Sequence, residues 1–234
     1  MTSTLFQHGT LWMLMEGFLE GTISINEILK KGNYGLGTLS GADGEVVIVD
    51  GKAFHMNGDK RFIELNGDEM TPFGMVTQFS SDNSFKVENK TSEEVLKEVK
   101  SHMVSKNLFS AVKITGTFKM MHIRTIHAQE EPYQRLIESA REQVEIKEEN
   151  ITGTLIGFYT PELFHGVSVG GFHNHFVDDS ENVGGHVLDF EVLDGTVEVQ
   201  NFETFEQQLP LTNEAFNKSE MDNEKIRKEI RETE

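Results

Sequence analysis

Three of the nine histidines fall in a pattern that could bind a metal ion. His173 and His175 lie in Gly170-Gly171-Phe172-His173-Asn174-His175-Phe176, and His186 follows in Gly184-Gly185-His186-Val187. Side chains of an extended segment alternate with period two, so a His-x-His pair presents both imidazoles on one face. Their Cα atoms then lie roughly 6.6 Å apart. Two rings at that spacing can close on one ion with Zn–N bonds of about 2.0–2.1 Å. A third His arriving after a glycine-flanked turn completes three nitrogen ligands. Three protein ligands leave a coordination position open, which is the pattern of a catalytic rather than a structural zinc. The competing reading is three unrelated histidines, two of them on the surface.

Other residues could join such a site. If Met120–Ile126 is extended, Met120, His122, Arg124 and Ile126 share a face, and a buried Arg124 would require an anionic partner. On the segment alone, an edge-strand Arg paired with a surface carboxylate is favoured. Glu45 opens the apolar run Val46-Val47-Ile48-Val49, and strand-start glutamates are usually solvated, so by itself it ranks low as an acid or base. Asp178 and Asp179 read as a solvated loop, because three imidazoles already suit zinc and a hard-oxygen calcium site would not need them. His8, His55, His102, His122, His127 and His165 lack ligand-like spacing and read as structural or surface residues.

The elements that must position these groups follow from periodicity and turn chemistry. Leu11, Leu14, Met15, Phe18 and Leu19 recur at helical spacing over Thr10–Glu20. A second helix opens at Ser24, with Glu27 completing a capping box, and stops at Gly32. From Asn33 the pattern turns to strands: Gly35–Ser40 and Glu45–Asp50 around the turn Gly41-Ala42-Asp43-Gly44, then Lys52–Met56 and Arg61–Leu65. Thr91 and Glu94 cap a helix running to about Lys106. Ala111–Ile126 reads as a strand pair or bent strand interrupted at Gly116. A polar helix is expected from Pro132 to about Lys147. Strands follow at Thr154–Tyr159, Phe164–Val169, Gly171–Val177, His186–Leu193 and, after the Asp194-Gly195 turn, Thr196–Phe202. Glu214–Glu234 reads as a polar terminal helix. Strands outnumber helices and several pair as hairpins, so the class is α+β. Two interleaved parts are expected, residues 1–150 and 151–234, with the histidines in the β-rich second part.

Composition narrows the function. The chain has 234 residues and a formal charge of −18, which disfavours nucleic acid and anionic membrane surfaces. With no cysteine there is no disulfide framework, thiolate chemistry or Cys-ligated zinc. That is compatible with the cytoplasm. The first twenty residues lack a basic n-region and carry Glu16 and Glu20 within the apolar run. They read as neither signal peptide nor membrane span, and the mature protein as the whole chain.

Several motifs, in order, resemble acetolactate decarboxylases over nearly the whole chain. They are Phe6-Gln7-His8-Gly9-Thr10-Leu11, Gly37-Thr38-Leu39-Ser40-Gly41-Ala42-Asp43-Gly44-Glu45 and Asp50-Gly51-Lys52-Ala53. Gly116-Thr117-Phe118 then leads into His122-Ile123-Arg124-Thr125, followed by Gly157-Phe158-Tyr159-Thr160-Pro161. Gly171-Phe172-His173-Asn174-His175-Phe176 and Gly184-Gly185-His186-Val187-Leu188-Asp189-Phe190 complete the set. The resemblance implies a mixed β-sheet interlocked with a smaller antiparallel β-barrel that carries the three-histidine site, in a homodimer. It implies a zinc enzyme (Zn2+, with Mn2+ or Fe2+ as alternatives) that converts 2-acetolactate, a 2-hydroxy-3-oxo acid, to acetoin and CO2. His173, His175 and His186 match the metal ligands of the family, Glu45 and Arg124 its active-site Glu and Arg, and Thr38 a nearby Thr. The family also returns a tail glutamate to the site, a role that falls to Glu234 or Glu232.

Decarboxylating a β-keto acid needs a sink for the electron pair left behind, and a histidine-bound metal is the simplest one this chain offers. The expectation is a metal-stabilised enediolate, with Arg124 on the carboxylate or oxyanion. A carboxylic acid, Glu45 or the tail glutamate, then protonates one face. The nearest rival is a cupin-like dioxygenase or isomerase. That pattern wants a Glu four or five residues after the second His, and Glu181 stands six residues on. A non-enzymatic metal-binding β protein is the alternative of another class.

Overall fold

The computed structural model describes residues 3–220 together with Glu224, Lys228 and Ile230. In chain order the elements begin with β1 (Thr4–His8), α1 (Leu11–Met15), β2 (Ile23–Ser24), α2 (Ile25–Leu29), β3 (Tyr34–Leu39) and β4 (Asp43–Val49). Next come β5 (Lys52–Met56), β6 (Phe62–Glu64), β7 (Met70–Thr71), β8 (Phe73–Thr77), β9 (Asn83–Thr91) and α3 (Ser92–His102). The remainder is β10 (Ser110–Thr125), α4 (Leu136–Arg141), β11 (Val144–Thr160), β12 (Gly171–Asp178), β13 (Gly184–Asn201), β14 (Thr204–Gln208) and α5 (Glu214–Lys218). Strand dominates and the helices are short, as the α+β expectation requires.

Two sheets carry the molecule. The first has seven strands in the order β14-β1-β8-β3-β4-β5-β6. It is mixed, because β1 pairs with β14 in parallel while its other neighbours are antiparallel. The second has the order β10-β11-β12-β13-β9, with β10 also paired to β13, all antiparallel. Period-two alternation sorts side chains between faces. On β4, Val47 joins a core containing Leu36, Met75, Ala111, Ile156, Phe158 and Val177, drawn from both sheets. Its neighbours Val46 and Ile48 face the opposite way, onto Ile25 and Ile28 of α2. A third core packs Val95 and Val99 of α3 against the second sheet. Each such aliphatic side chain, fully buried, contributes roughly 1.5–3 kcal/mol against conformational entropy.

The intersheet core matters for function because of parity. Glu45 shares the Val47 face of β4, Thr38 shares the Leu36 face of β3, and His175 shares the Val177 face of β12. Polar side chains at those positions must therefore meet where the sheets pack. Tyr34 fastens the same interface: its hydroxyl accepts the Gly157 N–H at 2.9 Å and donates to the Val112 carbonyl.

Several boundaries differ from expectation. The first helix spans only Leu11–Met15, because Gly17 turns the chain with φ +87°. The expected Pro132–Lys147 helix shrinks to α4, and from Val144 the chain is strand, paired with Thr125 and its neighbours in β10. Phe164–Val169 is no strand: a single helical turn at Glu162–Phe164 leads into a loop in which Gly166 has φ +99°. The breaks expected at Gly116 and at Asp194-Gly195 do not occur. Those glycines face each other across continuous β10 and β13, with register shifts beginning at Thr117/Phe118. Asp178 is buried rather than solvated, and its carboxylate accepts the Asn182 and Val183 N–H groups to close a turn. No helix among the described residues is long and apolar enough to cross a membrane.

Candidate metal centre

Cross-strand register brings the three histidines together. His175 on β12 lies opposite His186 on β13, and His186 lies opposite Arg124 on β10. His173 stands two residues before His175 on the same face. A Cβ on Gly185 (φ +153°) would fall 2.7 Å from the Arg124 carbonyl oxygen, so glycine there lets β13 reach β10 beside the site. The ring centroids are 5.1, 4.9 and 5.5 Å apart, and one ligand nitrogen of each ring lies within 4.8 Å of the others. His173 Nε2 and His186 Nδ1 are 3.1 Å apart. Two ligands on a tetrahedral zinc are separated by roughly 3.4 Å, so small side-chain adjustments close the set on one ion.

The donor chemistry also fits a metal. His175 Nδ1 lies 2.8 Å from the Val46 carbonyl oxygen. A carbonyl only accepts, so Nδ1 carries the proton and the Nε2 lone pair faces inward. A histidine ligand fixed through its other nitrogen is typical of metal sites. His173 Nδ1 and His175 Nε2 are buried, with no hydrogen-bond partner among the described residues. Burial is the main force holding all three rings neutral. It drives His175 down to about 3 against the hydrogen bond to Val46, with Arg124 adding to the shift. His173 falls well below the usual histidine range through burial, His175 and Arg124, and His186 through burial, Arg124 and its two fellow imidazoles. Neutral imidazoles are ready to coordinate without releasing protons.

Around the rings is a cavity of about 40 Å³, room for a few waters. Its polar wall comprises the three histidines, Thr38, Glu45 and Arg124. Glu45 is buried, with Oε2 3.4 Å from His175 Nε2. Arg124 is 4% exposed, so the edge-strand surface alternative for it does not hold. Thr38 Oγ1 donates to the Gly44 carbonyl at 2.7 Å and thereby grips the turn before Glu45. The rest of the lining is mainly apolar: Leu11 and Leu14 of α1, Phe73, Ile126, Leu136 of α4, and Val169. Spacing did not mark these aliphatics as functional, because Leu11 and Leu14 look like any core-facing helical pair. The tail glutamates Glu232 and Glu234 lie outside the described residues. Ile230, fully buried, belongs to the core that also holds Leu11, Leu14 and Leu136. Glu181, the residue nearest to a cupin-type ligand, instead pairs with Lys52 at 3.6 Å, both side chains about half exposed.

Comparison with known proteins places these features in context. The profile of the alpha-acetolactate decarboxylase family matches residues 5–223. An alpha-acetolactate decarboxylase of Lactococcus lactis subsp. lactis is 41% identical over 97% of this chain and 96% of its own length. One from Bacillus subtilis is 35% identical over 99% of this chain and 91% of its own. A Staphylococcus aureus crystal structure, described as a protein of unknown function similar to alpha-acetolactate decarboxylase, superposes with a TM-score of 0.97. It is 55% identical over 99% of this chain and all of its own. The crystal structure of alpha-acetolactate decarboxylase from Bacillus subtilis strain 168 superposes with a TM-score of 0.95, at 34% identity over 99% of both chains.

Proposed function

Because the chain belongs to the alpha-acetolactate decarboxylase family, a family of carboxy-lyases, we propose that it converts 2-acetolactate to acetoin and CO2 at the three-histidine centre. The observation that carries this reading is the convergence of three neutral imidazoles with Glu45 and Arg124 on one buried cavity. His173, His175 and His186 hold a divalent ion, zinc by the donor set, with Mn2+ and Fe2+ as the alternatives. When bound, that ion would supply a Lewis-acid sink for the electron pair left on the substrate when CO2 departs.

The chain's own residues do the rest. Arg124 binds the substrate carboxylate through its planar fork of donors and holds it near the sink. The apolar wall takes the two methyl groups and excludes water. Once the bond to the carboxylate breaks, Glu45 delivers a proton to one face of the electron-rich carbon, which fixes the handedness of acetoin. Thr38 holds the turn that carries Glu45. The tail carboxylate, Glu232 or Glu234, is the second acid of this reading. The pairing of β10 with both β11 and β13 supports reading the second sheet as the small barrel of the family. A cytoplasmic homodimer belongs to the same reading.

The test is direct. Purified protein given racemic acetolactate should release CO2 and form acetoin with one enantiomer in excess. Chelation should abolish turnover and zinc should restore it. Full turnover after complete metal removal would refute the metal role, and no acetoin from metal-replete protein would refute the reaction.

A further inference from the structure

His55 has no place in the chemistry above, yet it is a buried ring, 5% exposed, beside the turn that delivers Glu45. It sits on β5 opposite Val46, one residue beyond Glu45. Its Nε2 lies 2.8 Å from the Asp43 carbonyl oxygen and 3.7 Å from the Asp43 carboxylate. The carbonyl can only accept, so Nε2 carries the proton and donates to the peptide two residues before Glu45.

The turn is gripped from β5, from β3 and from the residue that follows β10. Gly44 is left-handed at φ +57°, and a Cβ there would fall 2.0 Å from the Met56 carbonyl oxygen and 2.8 Å from His55 Nε2. The Gly44 N–H donates to the Ile126 carbonyl at 3.2 Å, and its carbonyl accepts from Thr38 Oγ1 at 2.7 Å. The Asp43 carbonyl bond on one side of Gly44 is made by a titratable side chain. One residue further on, the Val46 carbonyl orients His175. The peptide run Asp43–Val46 therefore sets both the carboxylate and one ligand ring, with His55 fixing its entry.

We propose that His55 is a positioning residue, whose Nε2–H bond to the Asp43 carbonyl holds the turn that aims Glu45 at the three-histidine centre. This rests on the reading that Glu45 delivers the proton. The opposing account makes His55 a satisfied core residue whose loss costs stability alone.

The experiment uses zinc-loaded His55→Leu, His55→Gln, Glu45→Gln and the Glu45→Gln/His55→Leu double variant. It measures kcat, KM, bound zinc and the enantiomeric excess of acetoin. A displaced acid should lower kcat of His55→Leu by about 10- to 100-fold, reduce the enantiomeric excess, and leave KM and bound zinc near wild type. Gln, whose amide nitrogen reaches about as far as Nε2, should recover most of the loss. In the Glu45→Gln background, His55→Leu should add little, because residues acting as one unit are non-additive. If His55→Leu does not fold, His55→Asn replaces it, its amide being too short to reach the carbonyl. Wild-type kcat and enantiomeric excess in His55→Leu, or full additivity with Glu45→Gln, would overturn the proposal while leaving the decarboxylase reading intact. A zinc-loaded wild-type enzyme that makes no acetoin would overturn both.

Discussion

The two halves of the cavity's polar wall are built in different ways. The histidine half is a product of strand register: His175 faces His186, His186 faces Arg124, and His173 follows by alternation on β12. Ladder hydrogen bonds set those positions, and few side chains are needed to hold them. The carboxylate half is a product of tertiary contact. Glu45 emerges from a left-handed glycine turn held by Thr38 of β3, His55 of β5 and the carbonyl of Ile126, just past the end of β10. Repeating backbone geometry thus fixes the imidazoles, whereas a set of individually replaceable hydrogen bonds fixes the Glu45 carboxylate. The first half should fail all at once and the second by degrees.

Substitution on each side tests that difference. His175→Ala removes a proposed metal ligand and should lose zinc and activity together, by more than the 10- to 100-fold typical of an outer-shell partner. Elemental analysis after gel filtration, beside an acetoin assay, reads both; retained zinc with retained activity would break the account of the histidine half. Glu45→Gln should keep its zinc and lose activity by about 10²- to 10⁴-fold, the usual range for a positioned proton donor. Loss of zinc in that variant would mean that the two halves are not separable.

A smaller effect belongs to the apolar wall. Leu136→Ala enlarges the cavity. It should shift the kcat/KM ratio toward the substrate homologue with an ethyl group in place of a methyl, by about 10-fold, the scale of one methylene in a hydrophobic pocket. Competition between the two substrates measures this directly, and an unchanged ratio would remove Leu136 from substrate recognition.

Acid separates the halves more gently. Folding holds the three imidazoles below their ordinary value, and burial does the same to His8 despite its bond to Gln208. Below about pH 6.5 the unfolded chain binds protons that the folded chain refuses. The stability of metal-free protein should therefore be level above pH 6.5 and decline as pH falls toward about 3, where His175 itself titrates. Urea midpoints at pH 7.5, 6.0 and 5.0 should fall in that order. A flat series would show that the rings are not protected from protonation.

The same contrast explains what was legible in the sequence. His173, His175 and His186 could be grouped because alternation is local information, and the glycines beside His186 marked the turn. The capping box at Thr91 and Glu94 and the meander from Tyr34 to Glu64 were readable for the same reason. Glu45 and Arg124 drew no support from spacing, because their burial depends on how two sheets pack; motif resemblance singled them out instead. His55 read as structural or surface since nothing in the chain places Asp43 beside it. Val144–Ile151 hid a strand beneath its charges: Val144, Ile146 and Ile151 are too few to outweigh the glutamates, and pairing with β10 decides the matter. Gly116 and Gly195 looked like breaks. They are opposed positions where two long strands come close, since a Cβ on Gly116 would meet the Asp194 carbonyl oxygen at 2.2 Å.

The bond from His175 Nδ1 to the Val46 carbonyl spans the seam between the two sheets. The β12–β13 hairpin is therefore not a portable cassette. Grafted onto another scaffold it would bring its imidazoles but leave behind the backbone oxygen that selects the tautomer of His175 and the carboxylate one residue before it. Divergence in this chain should consequently tolerate change in either sheet more readily than any change in the spacing between them.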